Sequence, residues 1–200
     1  MPSEPQNSTR RYRKRLRAEQ EAETRRRITE AAVKLHGTIG PAKTTVSGIA
    51  REAGVQRATV YRHFPDEAAI FAACTSHFNA LHPPPDLERW AAVRDPQERL
   101  ALALGEMYAY YAEVQQMLES TGRDADRVPA VREAVARMDD YRVAARDVLL
   151  KGRPERGRSR ALAGASIGHA LAFSTWRSLV REQGLSDGEA VQLMAALVGS

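Results

Sequence analysis

The sequence predicts an all-α chain, with an N-terminal three-helix unit built on a helix-turn-helix and a larger helical domain after it. Three observations carry this prediction. Apolar residues recur at i, i+4 and i+7 over long stretches. No stretch of useful length alternates apolar with polar residues at strand period, and no internal repeat is present. Glycine and proline cluster where they cut the chain into helix-length pieces. At 200 residues and 43% hydrophobic, the chain has material for one or two small domains with a true core.

Residues 1–9 are polar and contain proline, so they are expected to be unstructured. Arg10 to Arg17 then sets six basic residues in eight positions, and 1–17 reads as a basic arm. The first helix is expected from about Arg17 to Gly37 or Ile39, with Ile28, Ala32, Leu35 and Ile39 on one stripe. Glu19, Glu21, Glu23, Arg25, Arg26 and Arg27 make up its exposed face. Gly40-Pro41 ends it, and Thr44 or Thr45 caps a second helix. Gly54 separates that helix from a third, and the helix-turn-helix unit spans 18–64.

Pro65-Asp66-Glu67 starts a connecting helix over 65–82, with proline at the first helical position and acids in the first turn. Ile70, Ala73 or Cys74, His77 and Leu81 form its stripe, and Pro83–Pro85 stop it. The larger domain fills 83–200. Asp95-Pro96 opens a long helix with Leu100, Leu104, Met107, Tyr111, Val114 and Leu118 on one side. Arg123 to Arg127 interrupts it, and Val128-Pro129 begins another carrying Val131, Val135, Met138, Val143 and Leu149. Gly152 to Gly157 is a loop, Ser159–Gln183 one long helix, and Ser186-Asp187 caps a last helix reaching Val198.

Charge is unevenly spread. Residues 1–64 hold 14 Lys+Arg against 6 Asp+Glu, whereas 65–200 hold 16 against 19. That asymmetry is the footprint of an N-terminal nucleic-acid module on a near-neutral partner domain. The single cysteine, Cys74, rules out an internal disulfide and a multi-cysteine metal site. The N-terminus has no apolar stretch of a secretory signal, and the most apolar run, Ala161 to Trp176, is too short and polar for a bilayer. A cytoplasmic protein is expected.

The segment Thr44 to Phe64, TTVSGIAREAGVQRATVYRHF, holds the densest information. Ala50, Gly54 and Val60 fall at offsets 0, 4 and 10. The small residue lets two helices cross closely, the glycine takes a left-handed turn without a Cβ penalty, and the valine anchors the second helix inward. The outer face then carries Gln56, Arg57, Thr59, Tyr61, Arg62 and His63. Double-stranded DNA is the expected partner of that face. Arg57 is the first candidate for reading guanine's O6/N7 edge, and phosphate is its alternative target. Thr44 and Thr45 stand at a helix N-terminus, a natural phosphate site. Arg11, Arg13 and Arg15 of the arm are expected on the backbone or in the minor groove.

An Ile-Ala pair, Ala-Gly-Val, Thr-x-Tyr and His-Phe in this order resemble the DNA-binding domain of the TetR family of bacterial transcriptional regulators over about residues 20–80. The resemblance implies a homodimeric repressor whose larger helical domain binds a small molecule, shifts the fourth helix and releases a palindromic operator. It implies phosphate contacts from Thr44 and Thr45, base and phosphate contacts from Arg57, Ala58 and Thr59, and backbone contacts from Tyr61 and His63. Where the family often offers a lysine just after the proline, this chain has Asp66 and Glu67, so a cationic contact from the fourth helix is not expected.

An apolar or cationic organic effector is expected, lined by His77, Tyr108, Tyr111, Tyr141, Phe173 and Trp176. Small residues on the 159–183 helix, with the last helix, mark a dimer face of Ala161, Gly164, Ala165, Gly168, Ala172, Met194 and Leu197. No cofactor and no metal are expected. An enzyme is disfavoured because no phosphate loop, nucleophile elbow or histidine-carboxylate metal pattern occurs. A DNA-binding regulator or architectural factor without ligand control is the alternative.

Overall fold

The structure is a computed structural model that describes residues 5–199, with side chains from residue 10. Its elements are α1 (Pro5–Thr38), α2 (Val46–Glu52), α3 (Arg57–His63), α4 (Glu67–Leu81), α5 (Leu87–Ala92), α6 (Pro96–Asp124), α7 (Pro129–Leu149), α8 (Gly157–Ala170), α9 (Phe173–Arg177) and α10 (Asp187–Gly199). A 3-10 turn, Pro41–Lys43, precedes α2, and a π-helical turn, Ser178–Glu182, follows α9. Among the described residues there is no strand, and no helix is long and apolar enough to cross a membrane.

Two separate cores form. In the first, Ile28 and Ala32 of α1 meet Val46, Ile49 and Ala50 of α2, Val60 and Phe64 around α3, and Ile70 and Cys74 of α4. Helices of seven residues do not hold themselves in water. Here α1 and α4 form the frame that keeps α2 and α3 folded. The second core is built along α6, whose Leu100, Leu104, Met107, Tyr108, Tyr111 and Val114 are buried against α7, α8 and α10.

Several expectations need correction. The first helix starts at Pro5, so the expected arm continues α1; residues 1–4 lie outside the described residues. Ile39 lies past the end of α1 and is 45% exposed, off the stripe assigned to it. Pro65 is not the first helical residue of α4 but precedes its N-cap: that cap is Asp66, whose carboxylate accepts from the Ala69 amide at 2.7 Å, and Glu67 opens the helix. Leu81 and Val143 are exposed and leave their stripes. The short α5 was not anticipated between the proline cluster and Asp95.

The largest departure is the helix expected over 159–183. It breaks at Leu171–Ala172, where Ala172 turns extended, with φ −75° and ψ 137°. Neither glycine nor proline marks the break. Two tyrosines of α6 support it: the Tyr108 hydroxyl donates to the Ala170 carbonyl at 3.0 Å and the Tyr111 hydroxyl to the Leu171 carbonyl at 2.6 Å. Thr175 donates to the His169 carbonyl at 2.6 Å. Carbonyls orphaned by the break therefore find buried donors.

Candidate nucleic-acid interface and effector cavity

Thr45 begins α2 as its N-cap, its hydroxyl oxygen accepting from the Gly48 amide at 3.0 Å. The Thr45 proton remains available to an outside acceptor. Thr44 is less free, since its hydroxyl donates to the Gly40 carbonyl at 2.8 Å. Gly54 adopts φ 66°, as the turn between α2 and α3 requires. Val60 is fully buried, and Gln56, Arg57, Ala58, Tyr61 and Arg62 are exposed on the opposite side of α3; Thr59 is half-buried.

Arg57 and Tyr61 lie one turn apart, and the guanidinium donates to the Tyr61 hydroxyl at 3.1 Å. That bond holds the arginine's proton more tightly than usual and orients the fork before any contact with DNA. His63 turns inward and departs from the backbone contact expected of it. It is half-buried, and its Nε2 is shielded and unpartnered among the described residues. Burial and the nearby Arg62 and Arg25 push its pKa below the usual histidine value. A neutral, shielded ring is a poor phosphate ligand.

Two arginines expected to be surface decoration have a structural task. Arg25 sits 4.0 Å over the Phe64 ring and donates to the His63 carbonyl at 2.5 Å. Arg27 donates to the Ala53 carbonyl and, at 3.3 Å, to Gly54. Both tie α1 to the ends of α2 and α3. Their signal in sequence was only a charge run. Arg11, Arg13 and Arg15 are exposed on helical backbone, and Arg15 pairs with Glu19 at 3.3 Å. A helix about 10–12 Å wide does not enter a minor groove about 6 Å wide. On helical backbone the arm itself does not lie in a minor groove, which leaves only its long side chains to reach DNA.

Behind this unit lies a cavity of about 340 Å³. His36 of α1 and Phe71, Cys74, Thr75, Phe78 and Asn79 of α4 form one wall; α6, α7 and Phe173 form the others. Tyr141 and Phe173 line it as expected. Tyr108 and Trp176 do not, being fully buried in the core, and Tyr111 sits behind Phe173 at 5.3 Å between ring centres. Tyr110, on the other side of α6, takes their place. His77 faces α1, with its Nε2 4.0 Å from Glu30. A second hollow of about 290 Å³ reaches Thr44 and Val46, and His36 and Phe71 border both spaces.

His36 is a junction. Its Nδ1 lies 3.2 Å from the Cys74 sulfur, its ring is 5.4 Å from Phe71, and its carbonyl accepts from Ser120 of α6 at 2.7 Å. Burial lowers its pKa to about 4, so the ring is neutral at neutral pH. Burial likewise pushes the Cys74 thiol up to about 12. Four residues on, Asp124 accepts from the Ala42 amide at 2.9 Å. At the far end of α4, His82 meets Glu113 of α6 at 2.6 Å. Among the described residues no cluster of three or more potential metal ligands occurs.

The expected dimer residues divide. Gly164 is buried against α7, where an added Cβ would lie 3.4 Å from Leu150, and Met194 is in the core. Both serve packing within one chain. Gly168 and Ala172 are half-buried. Ala161, Ala165 and Leu197 are exposed, beside exposed Leu162 and Leu193.

The family model described as bacterial regulatory proteins, tetR family, matches residues 28–74, the stretch from the middle of α1 to the Cys74 turn of α4. Over this N-terminal stretch the chain is similar to TetR-family regulators. It is 44% identical over 61 residues to the uncharacterised HTH-type transcriptional regulator Mb2274c of Mycobacterium bovis, covering 30% of this chain and 32% of that protein. The match thus spans about a third of that relative's length. Across most of the chain the likeness is one of fold. The TetR-family regulator PfmR of Thermus thermophilus superposes with a TM-score of 0.63 at 21% identity, over 86% of this chain and 96% of that one. FadR of Bacillus subtilis, in complex with stearoyl-CoA, gives 0.62 at 20% over the same shares.

Proposed function

We propose that this protein is a sequence-specific DNA-binding transcriptional regulator of the TetR family, a homodimeric repressor released from a palindromic operator by a small organic effector. One observation carries the ligand half of this reading. The cavity wall is shared: Cys74 belongs to the first core, and it borders the space enclosed by α6 and α7 together with its neighbours His36 of α1 and Phe71 of α4. A ligand filling it pushes directly on α1 and α4, the frame of α2 and α3. FadR, with its bound acyl-CoA, supports the same use of the fold. Two recognition helices per dimer read half-sites about one helical turn, or a multiple, apart. The exposed Ala161, Leu162, Ala165 and Leu193 supply an apolar face for the pairing.

Anisotropy binding to DNA flanking the protein's own gene tests the DNA half, with Arg57→Ala alongside. Salt-sensitive, competitor-resistant binding is expected, weakened by about 1–3 kcal/mol in the variant and with relaxed choice at one base pair. Affinity no better than for random DNA counts against it. Regulation without a ligand is the second reading. Operator binding that no cavity-filling molecule relieves would establish it.

A further inference from the structure

Resting on the effector-released reading, we infer that the cavity takes an amphipathic monocarboxylate, an apolar body ending in an anionic head. The wall of the cavity holds two arginines, Arg137 and Arg142, and no aspartate or glutamate. A cationic ligand would therefore meet like charge and no carboxylate on this wall. Arg142 is already paired with Asp139, one turn back on α7. Arg137 makes no ion pair or hydrogen bond among the described residues, and it is exposed.

Asn79 is exposed, and its amide has no partner among the described residues, so it joins Arg137 as an open donor on the wall. On the same wall Phe71, Phe78, Leu118, Met138 and Phe173 offer only apolar surface. A planar guanidinium matches a carboxylate with two parallel N–H···O bonds, which fits a carboxylate better than a hydroxyl of the same chain length. The body contributes affinity by apolar burial, and the head contributes the choice between ligands.

The test compares three probes with one chain length and different heads: decanoate, decanol and decyltrimethylammonium, each below its micellar concentration. Calorimetry on the full chain should show decanoate binding about tenfold tighter than decanol, with the ammonium weakest. Arg137→Gln, at an exposed position that leaves both cores intact, should bring decanoate to within about twofold of decanol and leave decanol unchanged. Decanol or the ammonium binding as tightly as decanoate overturns the inference, as does an acid preference that survives Arg137→Gln, or no binding by any of the three. Operator release is read separately by anisotropy. Release by decanol as readily as by decanoate removes only the anionic head, whereas binding of decanoate with no release removes the effector-released reading itself.

Discussion

The helix-turn-helix unit and the domain behind it are both helical, yet they use apolar side chains to opposite ends. The first is closed around α3, with a hollow at its edge by Thr44 and Val46. Ile28, Val46, Ile49, Val60 and Phe64 close on one another and leave the chemistry on an outer face. The second is long-helixed and partly hollow, with a cavity beside a core of aromatic rings. The closed unit must present Arg57 in one geometry, so rigidity serves it. Under the proposed function the hollow domain accepts a guest, and it keeps space that close packing would otherwise remove.

The sharpest way to break the contrast is to hollow out the closed unit. Phe64→Ala removes a fully buried ring from a small core and the surface under Arg25. A loss of about 3–5 kcal/mol is expected, seen as a large fall in thermal midpoint and loss of operator binding. Persisting binding with an unchanged melt would show that α1 and α4 alone hold α2 and α3. Arg27→Ala should cost less, about 1 kcal/mol, because it removes the bonds to the Ala53 and Gly54 carbonyls without opening a cavity. It should weaken DNA binding even though Arg27 reads no base. Equal affinity and stability would make the staple ornamental.

In the hollow domain, Tyr111→Phe removes a single hydroxyl and leaves the Leu171 carbonyl buried. A loss of about 1 kcal/mol in urea unfolding is expected. Disappearance of the helix break in the variant would show that the bond makes the break instead of answering it. The smallest effect is with pH. His36 has a folded pKa of about 4 against an ordinary 6.5, so the unfolded chain takes up the proton first as pH falls. Stability is full above 6.5 and is lost as pH drops towards 4, by roughly 1 kcal/mol between pH 8 and pH 6. His36→Gln should flatten that slope; an unchanged slope assigns it to other groups.

The two regions also differ in how much their sequences disclose. The Thr45 cap, the Gly54 turn and the inward Val60 were legible because each is settled within a few residues by local geometry. The break at Leu171–Ala172 was not, because its supports sit on α6, sixty or more positions earlier. The cavity was half legible. Tyr141 and Phe173 were placed correctly, but Tyr108, Tyr110 and Tyr111 share one helix, and periodicity says only that the first and last share a side. Which side faces the hollow depends on how α7 lies against α6. The staples Arg25 and Arg27 were hidden by their charge, which reads as solvated surface until their partners are known.

The shared cavity wall has a consequence for protein engineering. Exchanging DNA-reading heads between members of this fold is an attractive way to wire a chosen inducer to a chosen promoter. Here a cut after Leu81 would carry His36, Phe71, Cys74 and Phe78 along with the head, and with them one side of the inducer's binding surface. Such a hybrid inherits its inducer preference from both parents. Sensor design on this scaffold therefore has to keep the inducer parent's side chains at the cavity-facing positions of α1 and α4 even within a transplanted head.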